Sequence, residues 1–166
     1  MKTTQNLGTT SAIVLSNFIL KHYGPMSHLK LQKLLYYCEA YHLACFEQSL
    51  IPEDFEAWVH GPVCRVVYNS LKDNSILYSD VGFDPKNDED PDKNIEKSLT
   101  SSQNELLDSI LKDLSTWSAF ELETATHNEM PWIEARKGIA PSKICTNIIS
   151  KKTMLVYYSA EVDGNK

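Results

Sequence analysis

Apolar positions recur at three- and four-residue steps through two early stretches. Ala12, Ile13, Leu15, Ile19 and Leu20 follow Thr10 and Ser11, and Leu31, Leu34, Leu35, Cys38, Tyr41, His42 and Cys45 follow Ser27. This period predicts two capped helices with Gly24-Pro25 as the break between them, and it places Lys30, Lys33 and Glu39 on the polar side of the second. Phe55-Glu56-Ala57-Trp58-Val59-His60 alternates, as a half-buried strand does, and Gly61-Pro62 then reads as the start of a short helix through Val63, Val66, Val67 and Leu71. Ser102 to Glu105 and Ser118 to Glu121 have capping-box spacing, Asn128 suits a helix end, and Pro131 suits the first turn of a further helix. That turn runs to about Gly138, and Ser150 is placed to cap a last helix with Met154, Leu155, Tyr157 and Tyr158. The fold class expected is mainly α with a small β element (α+β), as one compact helical domain over 1–166 with its core at about 11–158.

The segment from Asp84 to Lys97 is rich in acids and carries two prolines, which predicts a mobile surface loop. The 166 residues carry 16 Lys+Arg against 22 Asp+Glu, a formal net charge of -6, which argues against a nucleic-acid partner. The longest apolar runs, Leu34 to Cys38 and Met154 to Tyr158, fall far short of the ~20 residues that span a bilayer, so no membrane role is expected. The start, Met1-Lys2-Thr3-Thr4-Gln5-Asn6-Leu7-Gly8, lacks the apolar core of a secretory signal, and the expected location is cytoplasmic with reduced cysteines.

The chemistry-bearing residue types admit an enzyme reading beside a binding one. Scattered glycines leave no phosphate-cradling loop, and no cofactor is expected. Cys38, His42 and Cys45 share one helical face and have metal-ligand spacing, yet they continue the stripe of Leu31, Leu34 and Leu35, so core packing is the better reading. Cys64 with His60 or His127 and Glu129 would supply a thiol nucleophile, base and orienting acid for a cysteine-dependent hydrolase, although the apolar setting of Cys64 argues for an inert thiol. Arg65 sits in the first turn of a helix, where a cation opposes the dipole and needs a partner such as Glu56. From Arg136 to Ala160 the chain has five basic residues and no acid, a local positive region on an acidic protein.

Three blocks carry a resemblance: Lys30-Leu31-Gln32-Lys33-Leu34-Leu35-Tyr36-Tyr37, then Phe55 to Val63 followed by Tyr68, then Thr126-His127-Asn128-Glu129-Met130-Pro131-Trp132. In this order they resemble the Panacea domain of SocA-like antitoxins and GepA-like phage-associated proteins, over roughly residues 11 to 158. A long acidic insertion after Lys72 departs from that pattern. The resemblance implies a mostly helical fold without enzymatic activity or cofactor. It implies an antitoxin of a bacterial or phage toxin-antitoxin system that neutralises a cognate protein toxin, encoded by the adjacent gene, through direct binding. The alternatives are a proteolytic adaptor that delivers a toxin to a protease, and the cysteine- or metal-dependent hydrolase above. The residues expected at the toxin interface are Lys30, Lys33, His60, Arg65 and Trp132.

Overall fold

The computed structural model describes residues 6–72, 76–86 and 90–164. Its elements run α1 (Ala12–Tyr23), β1 (Met26–Ser27), α2 (His28–Phe46), β2 (Glu56–Trp58), β3 (Gly61–Val63), α3 (Arg65–Leu71), β4 (Asp80–Val81), α4 (Pro91–Ser98), α5 (Ser101–Leu114), α6 (Ala119–His127), α7 (Met130–Ala135) and α8 (Lys151–Gly164). The fold is mainly helical, with two small antiparallel pairs, β1 with β4 and β2 with β3.

Helix α2 is the axis of the molecule. It packs against α8, α5, α1 and α6 and against β3, so partners surround it rather than cover one face. That corrects the expected polar side: Lys33 and Glu39 are both fully buried. Each buried charge has its own partner. The Glu39 carboxylate accepts the Leu50 N–H at 2.7 Å and pairs with Lys151 at 2.6 Å, while burial holds its pKa above the usual carboxylate range. Leu34 and Leu35 lie in the main apolar cluster with Leu15, Ile19, Leu111 and Met154.

The caps show why the helices begin where they do. Ser11, Ser27 and Ser118 accept the backbone N–H of Val14, Lys30 and Glu121, and Ser150 Oγ accepts that of Thr153 ahead of α8. Helix α5 begins two residues earlier than the expected Ser102 box. Thr100 is its N-cap and Gln103 closes the box, because Gln103 is also tied to Gly8 and His42.

Two further corrections concern connections. Gly61-Pro62 does not open a helix: β2 and β3 form a hairpin around Val59-His60, with Ala57 opposite Pro62 and Trp58 opposite Gly61. Gly61 has φ +102°, and α3 starts only at Arg65 with Cys64 as its N-cap. Proline fits this edge strand because Ala57–Pro62 is the pair that needs no N–H, and the Pro62 carbonyl faces away from β2. The expected mobile loop 84–97 is also partly structured. Residues 91–98 form α4, capped by Asp90, with Ile95 buried against the core and Asp92 paired to Lys21 and His22 of α1; residues 87–89 of the loop lie outside the described residues.

Candidate functional site

The three sequence blocks converge at the β2–β3 hairpin. From α2, Gln32 accepts the Cys64 N–H on its Oε1 at 2.9 Å, which turns its amide nitrogen toward His28 Nε2 at 3.0 Å. The His28 proton therefore sits on Nδ1, since Nε2 is accepting. The next residue along α2 after Gln32, Lys33, donates from Nζ to the Pro62 carbonyl at 2.8 Å. From the third block, Trp132 Nε1 donates to the Trp58 carbonyl at 2.9 Å, and its ring stacks on His127 with centroids 4.2 Å apart. Glu129 Oε1 accepts the hydroxyls of Tyr37 and Tyr158, each at 2.7 Å, and so ties α7 to α2 and α8.

Burial dominates the electrostatics. The Lys33 amine is pushed down to about 7, with Glu123 acting in the opposite direction, and the His28 imidazole is pushed down to about 4, helped by Lys33. Glu129 is raised by burial, against the two tyrosine hydroxyls that lower it. For His28 the unfolded chain binds the proton below about 6.5 and the folded chain only below about 4, so this group costs stability progressively as pH falls through that window. The expected outcome is a loss of unfolding free energy between pH 6.5 and 4 that is visibly smaller in His28→Gln, checked by urea titrations at several pH values.

The five expected interface residues occupy different settings. Lys33 lies inside, which corrects its expected place on the solvent side, because β3 and α6 cover that side of α2. Lys30 is half-buried and donates to the Ser115 carbonyl at 2.6 Å. Trp132 is half-buried and spent on the hairpin. Two residues reach the surface. His60 Nδ1 pairs with Glu123 at 2.7 Å, Tyr78 OH meets its Nε2 at 3.0 Å, and the side chain stays 42% exposed. Arg65 grips Glu56 through Nε and one Nη at 2.8 and 2.7 Å, lies over the Trp58 ring, and stays 45% exposed. Together they rim an apolar pocket of about 370 Å³ whose walls include Trp58, Tyr68, Leu77 and Cys145.

Most residues of the enzyme reading are engaged with other groups: His60 binds Glu123 and Tyr78, while the buried His127 Nε2 meets no partner among the described residues. Cys64 is buried with its thiol pushed up, away from the reactive thiolate, and Glu129 belongs to the tyrosines rather than to His127. Cys38 is buried among the core side chains. His42 is spent on both ring nitrogens. Gln103 Oε1 takes the N–H groups of Gly8 and Thr100, so its amide nitrogen donates to His42 Nε2, and His42 Nδ1 donates to the Gln48 carbonyl at 2.7 Å. Among the described residues no group of three or more His, Cys, Asp or Glu is placed to hold a metal ion.

Sequence reasoning missed Arg136, which it counted only as part of a basic stretch. Its guanidinium is buried under Trp132, donating to the Ala57 carbonyl at 2.8 Å and to those of Ala140 and Lys143 at 2.9 and 2.6 Å. It thereby joins the hairpin to the segment that walls the pocket. Nothing local distinguishes such an arginine from a solvated one. Arg136→Met strands a buried carbonyl and is expected to cost about 2 kcal/mol, read from the shift in urea midpoint.

The arrangement defines a helical domain in which buried polar side chains from α2 and α7 fix a hairpin beside an open apolar pocket. The family description "Antitoxin SocA-like, Panacea domain" matches residues 31–133, which contain the hairpin and all of the three blocks except Lys30, and the chain belongs to this family. It is similar to Antitoxin SocA of Caulobacter vibrioides (strain NA1000 / CB15N), at 35% identity over 79 residues. That match takes in 45% of this chain and 42% of the relative, so the chain spans less than half of that protein. No solved structure matches the chain.

Proposed function

We propose that this protein is an antitoxin that neutralises a protein toxin by binding it directly, with no catalytic step of its own. The observation that carries the reading, beside family membership, is the character of the open pocket at the meeting of the three blocks. Gln32, Lys33, Glu129 and Trp132 there are spent on holding the fold, the buried His28 Nδ1 and His127 Nε2 meet no partner among the described residues, and what remains accessible is an apolar pocket rimmed by His60 and Arg65. Such a pocket suits an apolar anchor side chain of a protein partner; a hydrolytic site needs unspent acid, base or nucleophile converging on one point. The toxin is taken to be the product of the adjacent gene, and the setting is cytoplasmic. No helix among the described residues is long and apolar enough to cross a membrane.

Expression of the adjacent gene alone is expected to arrest growth, and co-expression of this protein to restore it. Restoration in cells lacking their ATP-dependent proteases supports neutralisation by binding. Restoration only where those proteases are present assigns the protein to the adaptor mechanism instead.

A further inference from the structure

Next to the pocket the chain forms an unpaired sheet edge. Ile148 lies opposite Glu56, and this pair is flanked by the Ala57 N–H to Asn147 carbonyl bond at 2.9 Å and the Ile149 N–H to Phe55 carbonyl bond at 2.8 Å. In an antiparallel ladder a pair flanked this way points its own N–H and C=O outward. The outward groups of Ile148 find no partner among the described residues.

Cys145 and Ile149 are buried, whereas Ile144 is 88% and Ile148 53% exposed. Exposed isoleucines on an open edge are the reverse of the charged or covered edges that protect a sheet from pairing. Ile144, Cys145 and Thr146, which lead into this edge, also form one wall of the apolar pocket. Edge and pocket therefore adjoin along the chain, two residues apart, as two parts of one groove of which the pocket wall ends at Thr146 and the open edge lies at Ile148.

Its electrostatic setting selects the occupant. Although the protein is acidic overall, residues 136–160 contain no acid, and Lys137, Lys143 and Lys152 in that stretch are all exposed. Arg65 adds a cation at the pocket rim. Glu56 occupies only its Nε and one Nη, which leaves the other Nη without a partner among the described residues.

Resting on the antitoxin reading above, we propose that an extended, acidic segment of the partner protein docks here as an added strand. Its backbone pairs with Ile148, one of its apolar side chains fills the pocket, and flanking carboxylates meet Arg65 and Lys143. Main-chain pairing supplies the affinity, while the pocket and the cations supply the selectivity.

The full chain, labelled with ¹⁵N, is titrated with the peptide acetyl-EVFVE-amide and, separately, with acetyl-KVFVK-amide. The acidic peptide is expected to shift the amides of residues 144–148 and the indole signal of Trp58, with the basic peptide at least tenfold weaker. Ile148→Pro, which removes the outward N–H, and Ile144→Asp, at a site too exposed to affect folding, are each expected to weaken binding at least tenfold with the thermal transition unchanged for the second. Equal shifts from both peptides, shifts elsewhere on the surface, or undiminished binding by Ile144→Asp overturn the proposal. So does a homodimer by light scattering that Ile144→Asp dissociates, since the groove would then hold a second copy. Growth rescue without peptide binding leaves the antitoxin reading in place and removes only this groove; peptide binding without rescue does the opposite.

Discussion

Gly61→Ala is expected to destabilise the protein by roughly 2–5 kcal/mol, combining about 1–2 for a left-handed backbone with about 1–3 for overpacking. Both causes act at one atom. The residue has φ +102°, and an added Cβ would stand 2.5 Å from Lys33 Cε and 2.9 Å from Thr126 Oγ1. Lys33 has little freedom to yield, because it is fully buried and its amine is bound to Pro62. The same substitution at Gly138, whose φ of +83° is equally unusual but whose Cβ would meet nothing within 4 Å, is expected to cost only the backbone share. Urea unfolding of the two variants separates packing from backbone strain. Near-equal losses would show that the Lys33–Thr126 contact does not confine Gly61.

Leu34→Ala is expected to cost about 2–5 kcal/mol and to lower the soluble yield. Leu34 is fully buried on the helix that all the larger helices touch, and its loss leaves a cavity that packed neighbours on several sides close only in part. A change in midpoint below about 1 kcal/mol would mean that α2 is not the structural axis.

Much of the helical framework was legible because its signals are local. Ser11, Ser27, Ser118 and Ser150 cap the helices that their spacing predicts, and Cys38 and His42 are buried as the leucine stripe suggests, while Cys45 at the end of that face is half-buried. What was misread depends on distant partners. Gly61-Pro62 satisfies the local rules for a helix start, and only the grip of Gln32 and Lys33 from α2 shows that it is a strand. Periodicity located one apolar face of α2 but could not count its neighbours, so Lys33 and Glu39 were placed in water. Helix α4 has a single deeply buried apolar side chain besides its first proline, Ile95, and owes its docking to Lys21 and His22 on another helix. Of the residues expected at the interface, His60 and Arg65 reach the surface because the hairpin tip and the first turn of α3 project beside the pocket, which residue types alone do not reveal.

Direct binding is tested most simply by mixing this protein and the purified product of the adjacent gene, without ATP or any protease, and measuring mass by size-exclusion chromatography with light scattering. The account predicts one co-eluting species with the summed mass of a defined complex and a toxin that is inactive within it. Two separate peaks, with the toxin fully active, would contradict it.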